Sequence, residues 1–405
     1  MGVSIWEGSK AQDLLDQMSV QNTVLTRIAD KMGAYSTPVT WQGYRELVRR
    51  GLAKGEIPVG SQITDTWAEV EGTDYACPWD VVHYDDDGNA YLKWHYGFKT
   101  DVAFDAPEAI YYAPSGGLAA GQYYITIATA YGTGWVVDQN INFTLAEDMA
   151  EGDQLVISTG TNNDVNPTNG RTWNVYAKGS TTSKDTGTTS NSDTGTKLGE
   201  TSSDGSGYTN GNINAPARIV YGYNRWSQSA VRQYLNGIGA AGEWWTAQNP
   251  WDRPPAQHTA VRGFLAGCTE GFLEVLEPTE VVTARNTAEG ATETTETTLD
   301  KIFLPSLQEM YISPQLANVE GVNWDYYKEL AQAAGLPGKF SQGSTYPILK
   351  TYRISDPTSA VNARLRSAYR SNAYDAWRVY ASGGVYNRTA FSASSGVPAC
   401  KIKKS

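Results

Sequence analysis

Apolar positions recur along residues 11–32 at spacings that alternate three and four: Ala11, Leu14, Met18, Leu25, Ile28 and Met32, with Gln21 in the series. That is the seam of a short parallel coiled coil, in which the one polar member, Gln21, would fix register. With Leu15 and Val24 added, the same stretch reads as an amphipathic helix packed on its own domain, because three heptads are marginal alone. Both readings stay open at this point. A second helix is predicted from Thr40 to Ala53. It places Trp41, Tyr44, Leu47, Val48 and Leu52 on one side and a solvated Arg45, Arg49 and Arg50 on the other.

From about residue 58 the period becomes two. Trp79–Tyr84 and Ala90–Tyr96 flank Asp85-Asp86-Asp87-Gly88-Asn89 and predict a hairpin. The acidic triplet is read as its turn, since an EF-hand loop needs alternating ligands and a distal Glu. Further strands are predicted at Ala109–Tyr112, Gly121–Thr129, Gly134–Val137, Ile141–Leu145 and Gln154–Ser158. Short strands punctuated by Gly, Asn and Asp predict a small β-sandwich or jelly roll. Residues 179–214 are almost entirely Ser, Thr, Gly, Asp and Asn. They read as a flexible connector, or as irregular β-structure laid on a neighbouring domain. Helical pattern returns over 217–240, where Trp226-Ser227 cap a run through Val231, Tyr234 and Leu235 that Asn236-Gly237 ends. A short helix is predicted around Ser306–Met310, and the rest is Gly/Ser/Tyr-rich with short strand signals.

Composition narrows the function. Only 19% of the 405 residues are charged, whereas Trp and Tyr together number 38, a profile of a turn-rich β protein that presents aromatic rings. The formal net charge of −11 argues against a nucleic-acid partner, which needs a basic footprint. No apolar run is long enough to insert into a membrane. The start, Met1-Gly2-Val3-Ser4-Ile5-Trp6-Glu7, lacks a basic then apolar secretory pattern, so synthesis and retention of free thiols in a reducing cytosol is expected. Cys77, Cys268 and Cys400 are odd in number, far apart and without a CxxC pair, so neither a disulfide framework nor a zinc site is expected. His83, His95 and His258 have no metal-ligand spacing, and GxSxG, Walker A, GxGxxG and HExxH motifs are missing. No catalytic residue, metal or cofactor is therefore expected. Asn142-Phe143-Thr144 and Asn387-Arg388-Thr389 match the glycosylation sequon and are expected to be unmodified.

The most informative stretch is LRSAYRSNAYDAWRVYASGGVYNRTAFSASSGVPAC, Leu365 to Cys400. From Thr351 through Cys400 there is no Lys, Glu, Gln or Met, although about seven would be expected from their share of the chain. Tyr, Ser, Asn, Ala, Arg and Asp fill the gap. This approaches an antibody paratope, where Tyr supplies rigid contact area and Ser, Gly and Asn supply adaptable hydrogen bonds. Randomising the adenines of Asn codons reaches Tyr, Ser, Asp, Arg, Phe, Ala, Thr and Gly, and excludes Lys, Glu, Gln, Met and Trp. The segment fits that alphabet, with Trp377 as a fixed residue.

This segment resembles the end of variable proteins of diversity-generating retroelements, in which R-S, N-A, W-x-V, G-x-V and G-V-x-P-A close a C-type-lectin-like fold. RIVYGYNRWSQSAVRQYLNG (Arg218–Gly237), GFLAGCTEGFLEVLEPTEVVTARNT (Gly263–Thr287) and DKIFLPSLQEMY (Asp300–Tyr311) resemble the body of such domains in phage and prophage genes. DAPEAIYYAPSGGLAAGQYYIT (Asp105–Thr126) is similar to a β-domain that precedes them in phage structural proteins. The resemblance implies a fold that is α+β and mostly β, in four parts. These are an oligomerising helix over 1–34, a short helix plus β-sandwich over 35–178, a connector over 179–214, and a C-type-lectin-like domain over 215–405 with its variable region at 366–399.

The implied function is a phage tail host-recognition adhesin, made in the bacterial cytoplasm and placed in the virion. Its partners would be a host-cell surface protein or glycan and other virion proteins, and residues 11–32 would hold it as a trimer whose avidity multiplies weak contacts. By position, framework roles fall to Arg366, Ser367, Trp377, Val379, Gly383, Gly384, Val385, Gly396, Val397 and Pro398. The exposed, ligand-contacting set is Tyr369, Ser371, Asn372, Tyr374, Asp375, Arg378, Tyr380, Ser382, Tyr386, Asn387, Arg388, Phe391 and Ser392. Ser371 and Ser382 fit the framework equally, and alternation along Trp377-Arg378-Val379-Tyr380 sends apolar residues inward and variable ones outward. No Glu-Pro-Asn or Gln-Pro-Asp run of calcium-dependent sugar lectins is present. Two alternatives stand beside this reading. One is a non-diversified structural or decoration protein of a head or tail. The other is an enzyme of the formylglycine-generating kind, whose reactive cysteines would have to be Cys268 and Cys400.

Overall fold

Helix α1 (Trp41–Arg49) begins where the Thr40 side chain turns back to accept from the Gly43 amide at 3.1 Å. Trp41, Tyr44 and Val48 form its buried stripe. The helix stops short of Ala53 because Gly51 takes a φ of +70°, and Leu52, expected on the stripe, is exposed. Arg45 is not simply solvated, since it pairs with Glu277 at 2.7 Å.

The computed structural model describes residues 39–106, 109–128, 141–157, 172–188, 196–197, 208–209, 213–214, 222–248, 252, 254–286, 294–371 and 374–404. The heptad seam at 11–32 and the strand expected at 134–137 lie outside the described residues. Among the described residues no helix is long and apolar enough to cross a membrane.

The predicted hairpin forms from β1 (Trp79–Tyr84) and β2 (Ala90–Trp94). Asp85 holds the turn: its carboxylate accepts from the Asn89 backbone and side-chain amides at 2.8–3.0 Å, and Gly88 supplies the left-handed residue at φ +86°. A four-stranded antiparallel sheet then runs in the order Gln62–Ile63, β1, β2 and β6 (Ala399–Ile402). The strand nearest the C-terminus thus pairs with one from the first quarter of the chain. Around this sheet Trp41, Trp67, Trp79, Trp94, Phe264 and Phe272 lie in mutual ring contact, mostly edge-on or tilted. Each such ring removes about 150–250 Å² from water, roughly 4–6 kcal/mol of gross stabilisation at about 25 cal/mol per Å².

That core cuts across the expected domain division. Residues 41–104 and 226–402 contribute to one hydrophobic cluster, so the stretch before 107 belongs with the C-terminal body and not with the β-unit that follows it. The β-unit has a four-stranded antiparallel sheet, ordered Ser183–Thr188, Thr172–Ala177, Gly121–Ala128, Ile141–Leu145. A three-stranded one is ordered Ile213–Asn214, Ala109–Tyr112, Gln154–Ile157. Part of the presumed connector is therefore strand, since its threonines meet partners in register. The chain leaves and re-enters the body at one place. Tyr223 N–H donates to the Asp105 carboxylate at 2.9 Å, and a Cβ on Gly222 would stand 2.7 Å from the Asp105 carbonyl. Adjacent ends let a whole β-unit interrupt the body without pulling it apart.

Three further elements complete the body. Helix α2 (Ala230–Asn236) is capped by Ser229 rather than by Ser227, and Ser306–Met310 forms turns rather than a helix. Helix α3 (Asp325–Ala333), not among the sequence expectations, buries Tyr327, Leu330 and Ala331 at helical spacing. The whole is mixed, with few helices and many small sheets, consistent with an α+β, largely β class.

Candidate functional site

The C-terminal segment folds into a sheet of its own. Its order is β5 (Val385–Thr389), β4 (Asp375–Val379), β3 (Ala363–Ala368) and the short strand Ser395–Gly396, the last parallel to β3. Register places Trp377 opposite Asn387, Arg378 opposite Tyr386, and Val379 opposite Val385. Opposed residues share a face, so Asp375 and Asn387 fall on the side of Trp377 and Val379. Arg378, Tyr386 and Arg388 fall on the other.

Residues with expected framework roles are locked from beneath. Arg366, 1% exposed, grips both oxygens of Glu309 and donates to Leu304 O at 2.8 Å and to Glu320 O at 3.3 Å. Ser367 Oγ donates to Glu320 at 2.7 Å and accepts from Leu307 N–H at 3.0 Å. Burial raises the Glu320 carboxyl above its ordinary pKa, and Arg366 pulls it the other way. Trp377 is buried, donates to Gln315 Oε1 at 3.2 Å and packs edge-on against Tyr369 at 5.6 Å. A Cβ on Gly396 would meet Leu304 and Phe98 at 2.8 Å.

Gly383 carries the turn between β4 and β5 at φ +88°, where a Cβ would stand 2.2 Å from the Tyr346 carbonyl. Gly383→Ala is expected to lose about 2–4 kcal/mol in urea unfolding, from left-handed strain plus collision. Gly242→Ala, at the same φ of +88° but in open space, isolates the strain alone and is expected to lose about 1 kcal/mol. Equal losses would remove the collision from this account.

The expected contact residues do not form one uniform surface. Tyr386 and Arg388 are the outward pair on β5, with Tyr386 42% exposed and its hydroxyl donating to Gly343 O at 2.7 Å. Tyr380 meets Tyr386 edge-on at 5.8 Å. Ser371 and Ser382 are exposed, while Tyr374, Phe391 and Ser392 are half-buried. Asn387 donates to Asp375 at 2.9 Å, beside the Trp377–Tyr369 pair. Asn372 lies outside the described residues.

Arg378 departs from expectation. It is 7% exposed, with its guanidinium 4.0 Å from the Tyr380 ring centre and a hydrogen bond to Ser394 Oγ at 3.1 Å. The reason is that β4 is an inner strand whose second face is covered by the chain around Ser394, so strict alternation does not deliver exposure there.

Several residues that hold the site carry no signal in the sequence. Arg364, opposite Arg378 on β3, is buried and donates to the carbonyls of Ala376, Arg388, Thr389 and Ser392 at 2.8–3.0 Å. Burial, with Arg378 beside it, pushes its guanidinium down to about 9. Asn224 Nδ2 donates to Asp375 O at 2.7 Å and Tyr369 O at 3.2 Å, tying the site to a loop 145 residues earlier. Gln315 receives both Trp377 and the Arg370 backbone amide. Among the described residues no group of three His, Cys, Asp or Glu side chains is placed to hold a metal.

Residues 208–404 match the family model described as a domain of unknown function, DUF6273. The match covers just under half of the chain and includes the whole C-terminal sheet, but not residues 41–104 of the shared core. Comparisons with curated proteins and with solved structures give no match.

Proposed function

We propose that this chain is a ligand-recognition protein, a phage tail adhesin whose C-terminal region is diversified by a retroelement on a C-type-lectin-like scaffold. The observation that carries the reading is the absence of Lys, Glu, Gln and Met from Thr351 through Cys400, together with where the remaining alphabet lies. Framework residues Arg366, Ser367, Val379, Val385 and Gly396 are buried in specific contacts, whereas Tyr386, Arg388, Ser371 and Ser382 are open to solvent. A scaffold that tolerates exchange at a surface needs that separation, because an exchanged residue without buried partners costs little stability. The paired strands β2 and β6 further suit the scaffold, since they fix the base of the segment while its tip is free to vary.

Deep sequencing of the gene's 3′ end across a population tests this. Substitutions should gather at the codons of Tyr369, Tyr374, Asp375, Tyr380, Tyr386 and Phe391 and spare Trp377 and Gly396. An invariant segment would overturn diversification and favour a fixed structural protein.

The enzymatic alternative needs a reactive thiol pair. Burial raises the pKa of Cys268 and of Cys400 far above the ordinary thiol value, and Cys400 is fully buried. A thiolate is the reactive form, so Cys268 and Cys400 are expected to resist alkylation near neutral pH until urea unfolds the chain. Rapid labelling of either Cys268 or Cys400 in the folded protein would revive the alternative.

A further inference from the structure

A cavity of about 280 Å³ opens between α3, the 3-10 turn Pro347–Leu349 and the end of β2. Its walls are aromatic and aliphatic, with Tyr326, Tyr327 and Leu330 from the helix and Leu349 and Tyr352 facing them. Its basic side chains are Lys93, His95 and Lys350, and no acidic side chain lines it.

The two lysines differ in what they have left to offer. Lys93 is buried, and its ammonium already donates to Asp80 Oδ2 at 2.6 Å and Trp94 O at 3.2 Å while facing the Tyr326 ring at 4.9 Å. His95 Nδ1 faces the same carboxylate at 3.1 Å. Asp80 therefore neutralises Lys93 and holds the imidazole in place behind the cavity. Lys350 has no carboxylate within salt-bridge distance among the described residues, so no protein carboxylate competes with a ligand for it there. A half-buried cation at the wall of a largely apolar cavity favours an anion whose body is apolar, because burial of the ring and pairing of the charge then act together.

We propose that this cavity binds a small aromatic carboxylate, its ring among the tyrosines and its carboxylate on Lys350. The proposal does not rest on the recognition reading, although Val397 lines the cavity and the Tyr346 amide beside it donates to Gly383 O at 2.9 Å. A ligand of about ten to fifteen heavy atoms fits the volume, and a dissociation constant on the order of 0.1–1 mM is expected.

The test is calorimetric titration of the full chain with indole-3-acetate and, in parallel, with the isosteric neutral indole-3-acetamide. The acid should bind about tenfold or more tightly than the amide. Lys350→Gln should erase that preference, while Lys328→Gln, on the exposed side of α3, should leave it intact. Circular dichroism on each variant confirms that the fold is kept. Equal affinity for acid and amide, a preference that survives Lys350→Gln, or no heat from the acid up to about 10 mM each overturns the proposal.

Discussion

Arg366→Met is expected to lower folding stability by about 3–5 kcal/mol at about pH 7.5, the penalty for leaving buried carboxylates without their cation. Arg366 is the only cation hydrogen-bonded to Glu309 among the described residues, and its charge also pulls the Glu320 pKa down. Met matches the stem's volume, so lost packing contributes little. The pH dependence carries a definite sign. Burial already raises Glu320, and losing Arg366 removes the largest influence that lowers it. A carboxyl whose folded pKa exceeds its unfolded value of about 4.3 takes up a proton on folding, so its charged-form penalty is relieved as pH falls. The deficit of the variant should therefore shrink between about pH 7.5 and pH 5. Urea unfolding of both proteins across that range measures it, and a loss below about 1 kcal/mol would remove Arg366 from the centre of this network.

Lys93→Met should be comparably damaging, at about 3–5 kcal/mol, because it strands the Asp80 carboxylate in the floor of the central sheet. Burial alone would raise the Asp80 pKa, but the Lys93 ammonium, followed by His95, holds it well below the usual carboxylate range. With a depressed folded pKa, the stabilisation is fully present above the unfolded value of about 3.9 and is lost as pH falls through the lower folded value. The variant lacks that contribution and should unfold at higher pH on acidification. Asp80→Asn in the Lys93→Met background should recover part of the loss, giving a coupling of at least about 1.5 kcal/mol in a double-mutant cycle. Strict additivity would mean that the pair does not interact as its 2.6 Å separation suggests.

Local pattern and tertiary packing divide this protein in an instructive way. The hairpin of β1 and β2 was legible because alternation and an Asp/Gly/Asn turn act within a few residues, and Asp85 performs the expected turn role. The start of α1 at Thr40 was legible for the same reason. Helix α3 was missed because its buried stripe is only Tyr327, Leu330 and Ala331 among polar neighbours, and the contacts that hold it come from β1 and from the cavity wall. The boundary of the body was misplaced because composition changes at residue 179, whereas the interruption of the core is set by Asp105 meeting Gly222.

At the candidate site, the sequence by itself determined which residue types are present: a tyrosine-, serine- and arginine-rich alphabet interspersed with Gly and Trp. Only the tertiary structure decided which of them face solvent. Alternation assigns a residue to one of two faces, but burial depends on what covers each face. At β4 both faces are covered, so Arg378 turns inward onto Tyr380 while Tyr386 and Arg388, on the outer strand, stay exposed. The Asn224, Gln315 and Arg364 contacts that hold the segment join positions far apart in the chain or backbone carbonyls, and neither leaves a periodic trace in a sequence.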